Sequence, residues 1–375
     1  MSQAPVQRAV ARVDLGAVER NCSRLGSTLH GEARLCAVVK ADGYGHGSID
    51  CAHAALEGGA SWLAVASARE AEQLRGGFAE LPILTMGALT PEELEVALRA
   101  GSDVSVWRPG FLELVAERAA ALGLAARVHV KYDTGMGRLG ERDPDAVRAL
   151  VHTSASDERV ELAGLWTHFA TADEPDSEYF DEQLTRFRDL AAPLRDEHPT
   201  LLLHAANSAA TLRDPGSHFD MVRCGIAIYG LDPFGEDPAA RGLEPAMELR
   251  SYVADVKRFE QNASAGYGQR WRAPRDTWVG VLPIGYGDGV RRGLTNNAEV
   301  LVGGGRYPLV GAVSMDNVTI DLGPETEVEP GAEAVVIGVQ GSERILAEEL
   351  ARRLDTINYE ITCGVSSRVP RDHER

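Results

Sequence analysis

A lysine follows a short apolar run near the start of the sequence, where residues 37–47 read AVVKADGYGHG. An amine at the end of an apolar strand is partly removed from water, which lowers its pKa and suits it to form a Schiff base with an aldehyde. A lysine that simply reaches solvent is the more common outcome at such a position. Lys40 alone therefore leaves both interpretations open, and the other residues of its site must decide between them.

Two later segments have the features of a phosphate site. They read AANSAATL, which contains Ser208, and RCGIAIYG, which contains Gly225 and Ile226. A serine at a helix start can donate its hydroxyl, and a glycine lets backbone amides approach an anion closely. A capping serine and a packing glycine are the simpler alternative. An amine facing a phosphate site predicts pyridoxal phosphate, with Arg223 meeting the pyridine nitrogen instead of forming a surface ion pair.

The elements that must position these residues alternate between strands and helices from Leu35 to Gly230. Eight short apolar runs separated by helix-like segments predict an α/β fold, a (β/α)8 TIM-like barrel, with an open doubly wound sheet as the alternative. The carboxyl ends of barrel strands share one face. We therefore expect one mouth to gather the polar residues that end the predicted strands: Lys40, Lys131, Trp166 to His168, His204 to Ser208, and Arg223 to Gly225.

After Pro245 the sequence changes to strand-like segments separated by glycine-rich turns, with helix expected again only over residues 345–354, ILAEELARRL. This pattern predicts a C-terminal, mainly β domain over residues 241–375, preceded by the barrel over residues 14–240. The segment RAVARVDL also alternates like a strand, so residues 1–13 are candidates to pair with the second domain.

Composition and charge narrow the class of protein. The 375 residues include 38 basic and 56 acidic ones and carry a net charge of −18 at pH 7, which disfavours nucleic acid and anionic membranes as partners. No signal peptide or membrane-spanning run is evident, so we predict a cytoplasmic protein. The five scattered cysteines are predicted to be reduced thiols. No metal site is expected, because His46 with His53 or Asp42 lacks convincing ligand spacing.

Nine motifs occur in the order and approximate spacing of the bacterial alanine racemases, which are fold-type III pyridoxal-phosphate enzymes. They are AVVKADGYGHG, VKYDTGMGRLG, WTHFATAD, HAANSAA, MVRCGIAIYGLDP, AGYGQRW, LPIGYGDG, GAVSMDNVTIDLG and TINYEITC. The chain resembles that family from about residue 13 to Cys363. It departs from the family pattern at Ser314, where cysteine is frequent, and at Tyr132, where an aliphatic residue is common. These departures leave the preference for alanine over serine open.

The resemblance implies a role for each matching residue. Lys40 and Tyr267 would be the two catalytic bases, and the β domain of one subunit of a homodimer would contribute Tyr267, Tyr286 and Met315 to the partner's active site. The cofactor-binding residues would be Lys40, Tyr44, His168, Asn207, Ser208, Arg223, Gly225, Ile226 and Tyr359. The substrate-binding residues would be Arg138, Met315, Tyr286 and Asp316. Lys131 would be carbamylated and would then hold Arg138.

The activity that the resemblance implies is the interconversion of L-alanine and D-alanine by a two-base mechanism that depends on pyridoxal phosphate. The D-isomer would supply peptidoglycan synthesis. The alternatives are a racemase of serine or another small amino acid, a decarboxylase of the same barrel class, and a non-catalytic pyridoxal-phosphate carrier. A second domain with an opposing tyrosine disfavours the carrier, and the DTGMGR and VSMD segments disfavour the decarboxylase.

Overall fold

The computed structural model describes residues 7–375, which divide into two compact units. One unit contains residues 18–43 and 48–228, and the other contains residues 7–17, 44–47 and 229–375. The chain begins with strand β1 (Ala9–Asp14) and helix α1 (Leu15–Ser27). The first unit is the α/β part of the chain, and the second is mainly β.

Eight parallel strands close into a barrel in the first unit. They are β2 (Arg34–Val38), β3 (Trp62–Val65), β4 (Ile83–Thr85), β5 (Asp103–Val106), β6 (Ala126–Lys131), β7 (Val160–Trp166), β8 (Leu202–His204) and β9 (Met221–Cys224). Closure occurs between β2 and β9, where Cys36 pairs with Arg223 and Ala37 pairs with Cys224. The predicted (β/α)8 barrel is therefore confirmed, and the open doubly wound sheet is excluded.

Helices occupy most of the connections between the barrel strands. They are α3 (Ser48–Glu57), α4 (Ala68–Arg75), α5 (Pro91–Arg99), α6 (Pro109–Leu122), α7 (Pro144–Ser156), α8 (Tyr179–Glu197) and α9 (Ser208–Arg213). Local sequence explains where several of them begin. Ser67 and Glu70 form a capping box at the start of α4, and Thr90 and Glu93 form another at α5. Such caps satisfy backbone N–H groups that the first helical turn leaves without partners.

The short element α2 (Lys40–Tyr44) is a left-handed turn and not an ordinary helix. The φ angles are 52° at Ala41, 52° at Asp42 and 62° at Gly43. Left-handed backbone is unfavourable for residues that carry a Cβ, so the surroundings must hold it in place. The Asp42 carboxylate accepts from the Ser48 N–H at 2.9 Å, and the Ala41 N–H donates to the Glu70 carboxylate at 2.7 Å.

The second unit is built on a ten-stranded sheet. Besides β1, its strands are β10 (Met247–Tyr252), β11 (Asp255–Phe259), β14 (Thr277–Leu282), β15 (Glu299–Val302), β16 (Gly305–Val310), β17 (Val318–Gly323), β18 (Glu333–Gln340), β19 (Glu343–Ile345) and β20 (Arg371–Glu374). They are arranged in the order β11-β14-β17-β16-β15-β18-β10-β1-β20, with β19 paired to β18. A separate hairpin joins β12 (Ser264–Ala265) to β13 (Trp271–Arg272). Pairing is antiparallel except between β1 and β20.

The N-terminal strand lies in this sheet, where Ala11 pairs with Leu249 and Val13 pairs with Met247. Residues 1–6 of the predicted pairing segment lie outside the described residues. The expectation of one helix in this part of the chain is wrong, because α10 (Ala347–Arg353) is followed by α11 (Asn358–Cys363). A helix of six residues spans fewer than two turns and is too short to show clear periodicity.

Short 3₁₀ turns complete the described structure at Pro215–Ser217, Ile226–Tyr229, Pro238–Arg241, Tyr267–Gln269 and Arg292–Leu294. Over residues 7–375, none of the helices combines the length and the apolar character that crossing a membrane requires.

Candidate functional site

Lys40 lies just beyond the end of β2, at the point where the barrel closes. It is half-buried and begins the left-handed turn described above. Because Ala37 pairs with Cys224 on β9, the residues that follow these two strands leave the barrel at the same edge. Lys40 therefore follows a strand that neighbours β9, and Gly225 and Ile226 follow β9.

Arg223 is buried in β9, and several acceptors hold its guanidinium group. Nη2 donates to the Thr167 carbonyl at 2.7 Å and to the Ala205 carbonyl at 3.0 Å, and lies 3.4 Å from His168 Nδ1. Nη1 lies 2.9 Å from His204 Nδ1. Burial lowers the pKa of Arg223 to about 10, so the group still carries its positive charge near neutral pH.

A chain of buried side chains extends from Arg223 into the barrel. His204 Nε2 lies 2.9 Å from His129 Nδ1, and His129 Nε2 lies 2.9 Å from Asp103 Oδ2. We call the residues Asp103, His129, His204 and Arg223 the barrel relay. Guanidinium can only donate, so His204 Nδ1 must accept. His204 Nε2–H then donates to His129, and His129 Nε2–H donates to the carboxylate, which leaves one consistent tautomer for each ring.

Two observations explain why the relay fits inside the barrel. A side chain at Gly164 in β7 would place its Cβ 2.4 Å from His129 Nδ1, so the relay requires glycine there. The His204 ring also stacks on Trp166, with ring centroids 5.7 Å apart and an interplanar angle of 4°. Burial lowers the pKa of His204 well below its ordinary value, and the charge of Arg223 lowers it further. Burial and, secondly, the charge of Arg223 also lower the pKa of His168 well below its ordinary value. The rings of His168 and His204 are therefore both neutral at physiological pH.

The predicted phosphate residues of the barrel lie close together. Ser208 begins α9, and its hydroxyl oxygen accepts from the Gly225 N–H at 3.0 Å and from the Ala227 N–H at 3.4 Å. Asn207 is the N-cap of this helix, and its side-chain oxygen accepts from the Ala210 N–H at 3.0 Å. The loops after β8 and β9 thus bring a hydroxyl and backbone amides to one place.

Lys131 ends β6 in a buried position, with its Nζ 4.0 Å from the centroid of the Trp166 ring. Burial lowers the pKa of Lys131 to about 7, and the positive charges of Arg223 and Arg138 add to that effect. A substantial fraction of this amine is therefore neutral at physiological pH.

The loop that carries Arg138 wraps around a buried aspartate. Asp133 Oδ1 accepts from the Gly135 N–H at 3.1 Å and from the Gly137 N–H at 3.0 Å. Backbone bonds of Lys131 and Asp133 with Glu141 close the loop at its base. The Arg138 side chain is exposed. The DTGMGRLG motif thus has a rigid base and presents Arg138 at its outer end.

In the second unit, the predicted phosphate ligands Tyr44 and Tyr359 lie in one cluster of aromatic rings with Tyr229 and His46. The Tyr44 ring lies 5.3 Å from the Tyr229 ring and 6.0 Å from the Tyr359 ring, measured between centroids. His46 stacks on Tyr229 at 4.5 Å and is fully buried. Tyr44 and Tyr359, which are 315 positions apart in the sequence, are therefore neighbours in the fold.

The remaining predicted residues lie on loops of the β domain that present large side chains to solvent. Tyr267 is 75% exposed, Met315 is 51% exposed and Tyr286 is 43% exposed. We call the loops that carry them the exposed rim. It consists of residues 264–272, 285–288 and 311–316.

Backbone contacts hold the loops of the exposed rim together. The Tyr286 N–H donates to the Ser314 carbonyl at 3.0 Å, and the Gly287 N–H donates to the Met315 carbonyl at 2.9 Å. Gly266, which precedes Tyr267, has a φ of 73°, and a Cβ there would lie 3.0 Å from the Ala312 N atom. The backbone is fixed although the side chains are exposed.

Asp316 completes the exposed rim and is held by an ion pair. Its carboxylate accepts from Arg368 Nη2 at 2.7 Å, and Arg8 Nη1 lies 3.7 Å away. The Asp316 carboxylate thus already has arginine partners within its own chain. Its role in substrate binding stays a prediction.

Sequence reasoning missed Asp103 and His129, which complete the barrel relay. The signal available in the sequence was a histidine inside the strand segment RVHVK, where an apolar residue would be expected in a barrel core. None of the five cysteines, all of which lie in residues 7–375, forms a disulfide; four are buried, and burial raises the pKa of Cys224 to about 11.

Comparison with known proteins identifies the family. The family model for the alanine racemase N-terminal domain matches residues 13–233 of the sequence. The family model for the alanine racemase C-terminal domain matches residues 246–373. The chain is 43% identical to an alanine racemase of Frankia casuarinae, with 97% of this chain and 96% of that protein covered. It is 42% identical to that of Geobacillus stearothermophilus, with 96% and 92% covered.

Solved structures agree with the sequence matches. An alanine racemase from a D-cycloserine-producing Streptomyces lavendulae superposes with a TM-score of 0.94 at 37% identity, covering 100% of this chain and 98% of that one. A Bacillus anthracis alanine racemase with bound L-Ala-P superposes with a TM-score of 0.90 at 36% identity, covering 99% and 96%. The chain belongs to the alanine racemase family, whose members are isomerases.

Proposed function

We propose that this protein interconverts L-alanine and D-alanine with pyridoxal phosphate as its cofactor, using Lys40 and Tyr267 as two bases. The observation that carries the proposal is the juxtaposition at barrel closure. Lys40 follows β2, Arg223 lies in the neighbouring strand β9, and Gly225 and Ile226 follow that strand. The relatives described above are alanine racemases, which supports alanine as the substrate.

The residues at the barrel mouth fit the chemical groups of pyridoxal phosphate. Lys40 offers an amine for the aldehyde, and Ser208 with the amides of Gly225 and Ile226 offers donors for the phosphate. From the family resemblance we also propose Asn207, Tyr44 and Tyr359 as cofactor-binding residues. When bound, the cofactor supplies an electron-withdrawing ring that stabilises negative charge at the substrate α-carbon.

Arg223 and His168 would contact the cofactor ring. Because a guanidinium donates and is not a proton source near neutral pH, Arg223 would hydrogen-bond the ring nitrogen without protonating it. A ring with an unprotonated nitrogen withdraws electron density less strongly than a ring with a protonated one. Arg223 therefore favours prompt return of the proton to the substrate over competing reactions, which suits a racemase.

Two bases are needed because the α-proton must leave one face of the substrate and return to the other. The Lys40 amine would exchange the proton on one face, and the Tyr267 hydroxyl would exchange it on the opposite face. Arg138 and the backbone of Met315 would bind the substrate carboxylate, and Tyr286 with Asp316 would narrow the entrance.

Lys131 has the chemistry that carbamylation requires. Only a neutral amine attacks carbon dioxide, forming an N–C bond and releasing one proton. Burial and nearby cations lower the pKa of Lys131 to about 7, which provides that neutral form. The carbamate would carry a negative charge and would attract Arg138 in place of the repulsion between two cations.

The exposed rim supports a homodimer in which each subunit completes the site of the other. Tyr267 and Met315 are more than half exposed, although the sequence resemblance assigns them to the active site. Burying such large side chains against a second subunit would be favourable. We further propose that the enzyme acts in the cytoplasm and supplies D-alanine for peptidoglycan.

A solvent-exchange experiment tests the activity and both bases. The purified enzyme is incubated with L-alanine or D-alanine in deuterium oxide, and chirality and α-deuteration are followed together. Wild-type enzyme should produce the opposite isomer carrying deuterium from either substrate. Tyr267→Phe should lower racemisation by roughly 10²-fold to 10⁴-fold while the exchange of one isomer continues, because Lys40 is retained.

Tyr307→Phe is the matched control, since Tyr307 lies in β16 of the same domain and is not one of the residues of the exposed rim. It should behave like the wild type. Equal racemisation by Tyr267→Phe and the wild type would remove Tyr267 from its role. Cofactor binding without any D-alanine would overturn the proposed activity, and L-serine tested in parallel would distinguish the alternative substrate.

A further inference from the structure

Three metal-ligating side chains meet on the outside of the barrel, on α7 and at the end of α8. They are His152, Glu197 and His198, and one ligand atom from each lies within 4.8 Å of the other two. His152 Nε2 is 3.0 Å from Glu197 Oε2. Within residues 7–375 this is the one group of three or more such side chains with that proximity.

The donor set is suited to a transition metal. Two imidazoles and a carboxylate are ligands that Zn²⁺ takes in proteins, with bond lengths of about 2.0–2.2 Å. Two ligand atoms of a tetrahedral Zn²⁺ are then roughly 3.3 Å apart. The 3.0 Å separation of His152 and Glu197 is close to that value. An ion pair alone would explain this separation but would not require a second histidine beside it.

His198 provides an independent observation. Its Nε2 atom is buried and has no hydrogen-bond partner among the described residues. A buried polar nitrogen without a partner is unfavourable, so the position calls for a ligand. The backbone on either side is fixed, because the His198 N–H donates to the Leu194 carbonyl at 2.9 Å and its carbonyl accepts from the Leu201 N–H at 3.0 Å.

The electrostatic setting favours a cation. Glu197 is the last residue of α8 and His198 is its C-cap, so both lie at the helix end that carries partial negative charge. Asp196 precedes them, and the whole chain has a net charge of −18. A dication at this point would be attracted by the helix terminus and by the neighbouring carboxylates.

We propose that His152, Glu197 and His198 form a site for one divalent transition-metal ion of the Zn²⁺ type, which fastens α7 to the end of α8. Both helices finish near this site and lead into β7 and β8, so the site lies at the amino-terminal face of the barrel, opposite the mouth. The ion would therefore stabilise the barrel without entering the reaction.

Zinc binding to the chelator-treated holoenzyme tests the proposal. Equilibrium dialysis with Zn²⁺ should give one ion per chain, and His152→Ala and His198→Ala should each weaken binding by at least about 10-fold, the loss that even an outer-shell partner can cause. Glu197→Gln keeps the side-chain volume and should weaken binding in the same way. Zn²⁺ should also raise the thermal unfolding temperature of the wild type but not that of these variants.

His30→Ala is the matched control, because His30 is an exposed histidine of the same unit outside the cluster. This variant should bind Zn²⁺ like the wild type. Equal Zn²⁺ affinity in the wild type, His152→Ala and His198→Ala would overturn the proposal, as would the absence of stoichiometric binding. The readouts need no substrate, so failure of the racemase activity and failure of this site are distinguishable.

Discussion

The barrel mouth and the exposed rim position their side chains in opposite ways. Arg223 is buried, and its guanidinium group contacts acceptors at the carboxyl ends of two barrel strands, β7 and β8. Tyr267 is 75% exposed, although the backbone on either side of it is held by glycine contacts and hydrogen bonds. The barrel therefore orients Arg223 through its own core, whereas the rim fixes the backbone around Tyr267 and leaves that side chain exposed.

In the proposed homodimer, one subunit would supply the barrel residues of a site and its partner would supply the rim residues. The relay from Asp103 to Arg223 sets tautomers and charge inside a single barrel. The proposed role of Tyr267 would require another surface to cover its exposed side chain. Variants in the two regions should consequently fail in different ways.

The largest expected effect comes from combining two inactive chains. Lys40→Ala and Tyr267→Phe should each lower racemisation by at least roughly 10²-fold. A purified hybrid of the two, made by co-expression with different tags, has one site with both native residues if Tyr267 acts across the interface. Its activity should return to about half that of the wild-type dimer, because one of its two sites is intact.

The hybrid experiment distinguishes an active site shared between two subunits from one that a single chain builds alone. A hybrid as inactive as its parents would mean that each chain builds its site alone. The sequence contains only three lysines, Lys40, Lys131 and Lys257, so Lys257→Ala is a matched control. Lys257 lies in β11, pairs with Asp255 at 2.8 Å and should be dispensable.

A change inside the barrel relay should reduce stability. His204→Leu removes the acceptor that Arg223 Nη1 uses and leaves a charged donor buried without that partner. The free energy of unfolding should fall by about 2–3 kcal/mol, as measured by urea unfolding of both proteins under the same conditions. His30→Leu, at an exposed position, should change it little. A similar small change for His204→Leu would show that the relay does not support Arg223.

The smallest expected effect is the pH dependence of Lys131. Its pKa is lowered to about 7, mainly by burial, from an ordinary value of 10.5. Between these two pH values the unfolded chain binds more protons than the folded one, so raising the pH stabilises the fold. The stability of the wild type relative to Lys131→Met should increase on the order of 2 kcal/mol from pH 7 to pH 9 and stay constant below pH 7.

Urea unfolding across this pH range, in buffers free of carbon dioxide, isolates the titration of Lys131 from carbamylation. A relative stability that does not change between pH 7 and pH 9 would contradict a lowered pKa for this lysine. Adding bicarbonate afterwards and measuring the mass of the chain would test carbamylation separately.

The sequence predicted the barrel because eight apolar runs separated by helical segments leave few ways to bury every strand. It also located the strand ends to within two residues, since Lys131 ends β6, Lys40 lies two residues beyond β2 and Arg223 is the second-to-last residue of β9. The β domain was less predictable. Its helix α11 is too short for periodicity to reveal, yet it carries Tyr359 close to Tyr44.

What the sequence by itself determined is the order of motifs, and with it the family and the residue types available for chemistry. The tertiary structure decided which distant residues meet. His129 and Asp103 join the relay because parallel strands β5, β6 and β8 bring their side chains together inside the barrel, at sequence separations of 26 and 75 residues. The tertiary structure likewise decided the exposure of Tyr267. The local sequence specifies the turn around this residue but not whether another part of the protein covers its side chain.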